Sequence, residues 1–269
     1  MAFFSEDFRN RFAGVARLYG AEAFEKLARS RICLIGLGGV GSWACEALAR
    51  SGVRALTLVD MDDVCATNTN RQLHALDGNY GRPKAEALAE RVRAVNPECE
   101  VAVLKMFVTQ ENAEKFFGEN RERFDLVADA VDGAANKAAL IAACVRTGIP
   151  VVSSGGCAGK RDGTRAECAD LSEAEGDALL KVVRRELRSR YGFPKGNSGE
   201  KMGVPVVFSR ELSRPPEDLG DAFPQMLSPA GGKPRPGTAA FVTGAFGLAL
   251  AQLALETLRQ RMMDERNDE

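Results

Sequence analysis

The chain has 269 residues, 45% of them apolar and 27% charged, enough to bury a sizeable core in one large α/β domain or two small ones. Its 36 basic and 37 acidic side chains leave a net charge of −1, so no global field recruits nucleic acid and any such contact needs a local patch. The seven cysteines (Cys33, Cys45, Cys65, Cys99, Cys144, Cys157, Cys168) form no CxxC pair, which argues against a tetrathiolate zinc site and a disulfide framework and makes a reducing cytoplasm the expected setting.

The opening "MAFFSEDFRNRFAG" carries charges inside its apolar run and does not read as a signal peptide. Residues 6–29 read as one or two short helices, with Phe8, Phe12, Val15, Leu18 and Tyr19 near helical spacing. Strands and helices then alternate. "ICLIG" is a buried-type strand, Val40–Arg50 a helix, and "ALTLVD" a second strand. "RPKAEALAERVRAVNP" is a helix stopped by Pro97, "EVAVLK" a third strand, and "FDLVADAVD" a fourth. "NKAALIAACVRTG" is a helix ending at Gly148, and "IPVVSSGG" a fifth strand. This grammar predicts an α/β fold: a doubly wound, mostly parallel Rossmann-like sheet with helices on both faces, its ligand at the carboxyl ends of the strands.

After Gly156 the pattern changes. "TRAECADLSE" reads as an edge strand, "EGDALLKVVRRELRSR" as an amphipathic helix, and "VPVVFSRE" as a strand. "RPPEDLGDAFPQMLSPAGGKPRPG" is Pro/Gly-rich and irregular. Gly237–Leu258 has membrane-spanning length, yet it is rich in Gly, Ala and Thr; a buried helix closing the domain is the expected role, with peripheral membrane association the alternative. No repeat or linker divides the chain. It reads as a single domain: N-terminal helices over 1–30, a nucleotide-binding core over 31–156, and a substrate-side extension with the closing helix over 157–269.

Chemistry starts at Gly36-Leu-Gly38-Gly39-Val-Gly41, between a strand and a helix. Glycines let the backbone turn tightly and approach phosphates, and the helix start supplies free N–H groups. Asp60, at the end of the next strand, stands where a carboxylate accepts hydrogen bonds from a ribose. Which nucleotide is bound depends on the residues downstream: Asp60-x-Asp62-x-Val64, Asn68-x-Asn70-Arg71-Gln72, Lys84 opening a helix, and Asp129 and Asp132 after the fourth strand. Arg71 and Lys84 supply cations for a polyphosphate, and Asp132 can hold Mg²⁺. Hydride transfer has no need of that set. Nucleotidyl transfer from ATP does, because charge builds on the α-phosphate and pyrophosphate must leave. Asp62 reads more readily as a turn residue, Asp129 as a strand-end acceptor, Gln72 as a loop brace, and the single histidine, His74, as structural.

This motif set resembles the ubiquitin-activating-enzyme-like family that includes the ThiF, MoeB and HesA proteins. The resemblance implies Mg·ATP-dependent adenylation of a carboxylate. It assigns Gly38, Gly39 and Gly41 to phosphate contact, Asp60 to the ribose, Asn68, Arg71 and Lys84 to the phosphates, and Asp132 to the magnesium. The family usually adds an N-terminal arginine that reaches across a homodimer; Arg11 and Arg17, in "RNRFAGVARLYG", both qualify. "RLYG", "GGCAGKRDGTR", "LRSRYGFPKG" and "GTAAFVTGAFG" extend the likeness over nearly the whole chain, to the tRNA threonylcarbamoyladenosine dehydratase branch, which has the adenylating core without zinc pairs. That branch implies a tRNA carrying threonylcarbamoyladenosine as partner. The main alternative is adenylation of the C-terminal Gly-Gly of a small sulfur-carrier protein, with a sulfur-transfer partner.

Between Lys181 and Lys201 stand seven basic residues against two acids. Lys181, Arg184, Arg185, Arg188 and Lys195 form the expected phosphate-backbone stripe, with Lys160, Arg161 and Arg165 in the preceding loop. Tyr191 and Phe193 either stack on an exposed base or anchor the loop. Cys157 falls near the expected site edge; Cys33, Cys45 and Cys144 read as core.

Overall fold

The computed structural model describes residues 4–196, 198–215 and 236–267. Seven strands form one sheet in the order β3-β2-β1-β4-β5-β7-β6. They are β1 (Arg31–Ile35), β2 (Ala55–Val59), β3 (Glu100–Leu104), β4 (Leu126–Asp129), β5 (Val151–Ser154), β6 (Glu167–Asp170) and β7 (Pro205–Phe208). All neighbours run parallel except β6, which pairs antiparallel with β7 from Glu167↔Phe208 to Asp170↔Pro205. The doubly wound expectation holds, and β6 is the edge strand read from "TRAECADLSE".

The pleat distributes apolar side chains to two cores. Ile32, Leu34, Leu56, Leu58 and Val207 meet α3 (Gly39–Arg50), α4 (Lys84–Val95) and α8 (Ala240–Asn267) on one face. Cys33, Ile35, Val127, Val206 and Phe208 meet α5 (Ala113–Glu119), α6 (Ala134–Thr147) and α7 (Ala178–Arg190) on the other. Strands buried on both faces read as continuous apolar runs, which is why "ICLI" and "ALTLV" lack polar alternation. The first two helices, α1 (Glu6–Tyr19) and α2 (Ala21–Arg29), build a separate aromatic cluster of Phe4, Phe8, Phe12 and Phe24. Gly52 lies beneath it at φ +82°, where a Cβ would meet the Phe12 and Phe24 rings at 3.1 and 3.2 Å.

One feature differs from the sequence reading, and one expectation falls largely outside the described residues. The seven-residue α5 was not anticipated: its adjacent Phe116 and Phe117 show no helical repeat, and its burial comes from packing against α6. The irregular segment expected over 214–237 lies mostly outside the described residues; its described flanks meet at Gly159, whose carbonyl accepts the Arg214 N–H at 2.9 Å and whose N–H reaches the Gly237 carbonyl at 2.7 Å.

The last helix is long and apolar enough to cross a membrane by composition over Ala240–Asp264, yet 56% of its most apolar window is buried inside the fold. Val242, Phe246, Leu250, Ala254 and Leu258 turn onto the sheet and α3. Gly247 permits the approach, since a Cβ there would lie 2.4 Å from the Val40 carbonyl oxygen. The closing-helix role is therefore what the packing displays.

Candidate active site

At the carboxyl edge of the parallel strands lies a cleft of about 660 Å³. Its centre is the turn from β1 into α3. Gly36 has φ +83°, and a Cβ there would sit 2.9 Å from the Ala130 carbonyl. Gly38 caps α3 without a side chain, so the helix presents first-turn N–H groups and its positive end to the cleft. Gly38 and Gly39 line the cleft; Gly41 does not. A Cβ on Gly41 would approach the Gly36 carbonyl oxygen to 1.8 Å, so its glycine serves close packing of helix on turn.

Asp60 directly follows β2 and is buried beside the turn. Its Oδ2 accepts the Leu37 N–H at 2.6 Å and its Oδ1 the Asp62 N–H at 2.8 Å. These two bonds hold the turn and the following loop while leaving lone pairs for a ligand hydroxyl. Asn68 closes a short 3₁₀ turn, Ala66–Asn68, its Oδ1 accepting the Cys65 N–H at 3.1 Å. Arg71 is half-buried. Its Nη1 donates to the Thr67 carbonyl and to Asn70 Oδ1, both at 2.9 Å. Burial lowers the Arg71 pKa, and the field of Asp132 acts against that. Two neighbours hold the Arg71 carbonyl: Trp43 Nε1 of α3 donates at 3.1 Å and Thr243 Oγ1 of α8 at 3.2 Å.

Lys84 begins α4 and is 6% exposed, with its Nζ 2.7 Å from Asp62 Oδ2. A buried ammonium needs such a partner or a bound anion. Gln72 lines the cleft, and its buried Oε1 finds no hydrogen-bond partner among the described residues. Neither ring nitrogen of the 1% exposed His74 has a partner there either. Burial first, and Lys84 second, push its pKa down to about 4, so the ring is neutral at pH 7; it is also absent from the cleft lining.

On the far side, Asp132 and Asn136 face the cleft after β4, and Ser154–Ala158 form a floor after β5. Asp129 is fully buried and bonded to Lys137 Nζ at 2.7 Å, Ser153 Oγ at 2.7 Å and the Val131 N–H at 2.9 Å. Asp177 caps α7 through the Leu180 N–H and also accepts the Gly156 N–H, each at 3.0 Å. Burial and the nearby Asp177 carboxylate push the Cys157 thiol up to about 12, so it stays protonated at neutral pH. Beyond Asp60, Met106, Phe107 and Val108 make an apolar wall. Sequence reasoning passed over these three, although their place directly after β3 puts them at the same sheet edge.

Gly36, Gly38, Gly39, Asp60, Asp62, Asn68, Arg71, Gln72, Lys84 and Asp132 thus meet in one cleft. The N-terminal arginines do not join it within this chain. Arg11 pairs with Asp7 at 2.6 Å and reaches the Val95 carbonyl at 3.5 Å, near the amino end of β3. Arg17 is exposed on the last turn of α1, with no hydrogen bond or ion pair among the described residues.

The basic stripe on α7 is split. Lys181, Arg185 and Lys195 point to solvent. Arg184 instead turns inward, donating to the Leu171 carbonyl at 3.3 Å and to the Ala174 carbonyl. Arg188 Nε holds the Pro194 carbonyl at 3.0 Å, securing the loop after the helix. Lys160 is buried as well, donating to the Ser209 and Glu211 carbonyls at 2.9 and 2.7 Å. Tyr191 and Phe193 pack half-buried against the second core, the anchoring alternative. In Arg184, Arg188 and Lys160 alike, the cation differs from the expected free phosphate contact because it is held by backbone carbonyls of the chain itself.

No group of three or more His, Cys, Asp or Glu side chains that could hold a metal occurs among the described residues. With Asp62 paired to Lys84, the exposed Asp132 carboxylate fits a magnesium ion held mainly by phosphate oxygens and water rather than by a protein cage.

A glycine turn, a buried acid just after the second strand and two cations at one sheet edge define a nucleotide-activating α/β enzyme. Residues 10–267 match the ThiF family model, and the chain belongs to the ThiF family. Within it the similarity is to the tRNA threonylcarbamoyladenosine dehydratases. The Escherichia coli (strain K12) protein of that name is 44% identical over 259 residues, covering 94% of this chain and 95% of the relative. The crystal structure of the E. coli enzyme with ATP aligns at a TM-score of 0.84 and 43% identity, covering 97% of this chain and 98% of that one. Its complex with AMP aligns at 0.83 and 44% identity, over 96% and 98%.

Proposed function

We propose that this protein is an AMP-forming tRNA threonylcarbamoyladenosine dehydratase. With ATP it adenylates the threonine-derived carboxylate of threonylcarbamoyladenosine at position 37 of tRNA. A carboxylate oxygen attacks the α-phosphorus and the bond to pyrophosphate breaks. A nucleophile of the same side chain then attacks the activated acyl carbon, closing a ring and releasing AMP. The net change is loss of water.

The observation that carries this reading is the gathering of the glycine turn, Asp60, Arg71, Lys84 and Asp132 around one cleft. Supporting it, the likeness to the dehydratases extends over 94% of the chain, second half included. In this reading the α3 N–H groups, Gly38 and Gly39 receive phosphate oxygens, Asp60 takes the ribose, and the Met106–Val108 wall takes the base. Asn68, Arg71 and Lys84 bind the phosphates and stabilise the charge that develops as pyrophosphate departs. Asp62 keeps Lys84 aimed at the cleft, and Gln72 braces the turn. Asp132 would hold the magnesium, which when bound neutralises phosphate charge. The protein acts as a homodimer in the cytoplasm, with Arg17 of a second copy completing the phosphate site. Lys181, Arg185 and Lys195 bind the tRNA backbone.

The test is nucleoside analysis of threonylcarbamoyladenosine-bearing tRNA after incubation with the protein, ATP and Mg²⁺. Expected are a nucleoside lighter by one water, with equimolar AMP and pyrophosphate. Release of ADP, or unchanged nucleoside, overturns the reading. ATP–pyrophosphate exchange that requires a ubiquitin-fold sulfur carrier moves the protein to the alternative activity.

A further inference from the structure

One buried charge network lies outside the cleft lining but directly beneath it. Lys137, on the first turns of α6, is fully buried. Its ammonium bonds Asp129 Oδ2 at 2.7 Å and Ser153 Oγ at 3.0 Å, and Ser153 Oγ itself donates to Asp129 Oδ2 at 2.7 Å. Three strands and helices thereby converge on one carboxylate oxygen: Asp129 ends β4, Ser153 lies on β5, and Lys137 comes from α6. The other oxygen, Oδ1, accepts the Val131 N–H at 2.9 Å. Val131 adjoins Asp132. The same loop is gripped from its other side, because the Ala130 N–H donates to the Ile35 carbonyl at 2.8 Å and the Ala130 carbonyl leaves no room for a side chain on Gly36.

We propose that Asp129, seated by Lys137 and Ser153, is a positioning residue that sets the Ala130–Asp132 loop and so aims the Asp132 carboxylate into the cleft. The inference rests on the reading of Asp132 as the magnesium residue. A buried ion pair is a weak source of stability, since well-packed apolar residues of similar volume often replace it without loss. What such residues cannot do is accept the Val131 N–H. The carboxylate is therefore present for its second oxygen, and the lysine and serine orient that carboxylate in a dry site.

Two paired variants separate positioning from packing. Asp129→Leu with Lys137→Met removes the network and the acceptor together. Asp129→Asn with Lys137→Met removes the charges but keeps an oxygen for Val131. Both are measured by hydrogen exchange of the peptide spanning residues 130–134 and by Mg²⁺ dependence of ATP binding and of AMP formation. The Leu/Met variant is expected to lose protection at that peptide at least tenfold. It should also need at least tenfold more Mg²⁺ for half-maximal ATP binding, with the KM for tRNA unchanged. The Asn/Met variant should stay within about threefold of wild type on each measure. Wild-type exchange and Mg²⁺ dependence in a folded Leu/Met variant overturn the proposal. If neither pair folds, Ser153→Ala decides: a two- to fivefold rise in exchange and in the Mg²⁺ requirement supports it, and none overturns it. Wild-type protein that forms no AMP refutes the proposed reaction, whereas the exchange result tests the loop by itself.

Discussion

Single side chains decide how this cleft handles charge. Lys84 is held by Asp62 and Arg71 by the Thr67 carbonyl and Asn70, so both cations are poised at the glycine turn before any phosphate arrives. Arg71→Ala and Lys84→Ala should each lower kcat for AMP formation by about 10²–10³-fold with the circular dichroism spectrum preserved, the range seen when one preorganised transition-state contact is removed. Wild-type rates would refute the assignment. His74 makes a prediction about stability. Its pKa falls from 6.5 to about 4 in the folded chain, so the unfolded chain binds the proton more readily. Its contribution therefore declines as pH drops from about 6.5 towards 4 and is constant above that window. Urea unfolding at pH 7 and pH 5 should show the wild type losing about 2 kcal/mol more than His74→Leu, and equal losses would contradict the burial argument. The sequence marked Asp60 by its spacing from the glycines, and Arg71 and Lys84 by their place in the motif set. It could not reveal that Arg184 and Lys160 spend their charge on carbonyls of the chain itself, because that depends on how α7 and the 157–162 loop pack.

At the level of elements, the functional side chains sit on loops that two helices buttress. Both α3 and α8 donate to the Arg71 carbonyl, and Asn70 Nδ2 donates to the Thr238 carbonyl at 2.9 Å just before α8. The last helix, expected only to close the domain, thus props through Thr243 a motif loop 172 residues earlier in the chain. Helix α7 divides its charges by face. Lys181→Glu with Arg185→Glu should weaken tRNA binding about 10-fold or more at low salt and reduce the slope of log K against log salt by about 2, with ATP binding unchanged. Filter binding across a salt series reads this directly; an unaltered slope would place the RNA surface elsewhere. Arg184→Glu, by contrast, should lower the melting temperature, since it breaks two backbone contacts of a half-buried side chain. Of the helices, α5 was missed and the rest were legible, because periodicity needs more than two turns to register.

For the whole molecule, the sheet order explains why residues far apart in sequence share one cleft. In a parallel sheet wound in both directions from β1, the carboxyl ends of β1, β2, β4 and β5 open on the same edge, so Gly36, Asp60, Asp132 and Gly155 become neighbours. Within one chain Arg17 has no part in that cleft. If a second copy supplies it, Arg17→Ala and Lys84→Ala proteins, each inactive alone, should regain activity when their subunits are mixed and exchanged. Up to about half the sites of each mixed dimer would then be intact. A turnover assay on the re-associated mixture, with size exclusion to verify the dimer, tests it; failure to complement in a proven mixed dimer removes Arg17 from the site.

The βα grammar, the turn glycines, the acid 19 residues beyond Gly41 and the motif cations were readable in one dimension, because local backbone geometry and strand-end chemistry demand those residue types at those spacings. Tertiary structure alone decided which charges face the cleft, which are consumed by nearby carbonyls, and which buried partners grip the loop before Asp132. Burial and direction arise only when distant segments pack together, and a side chain's chemistry follows from what surrounds it.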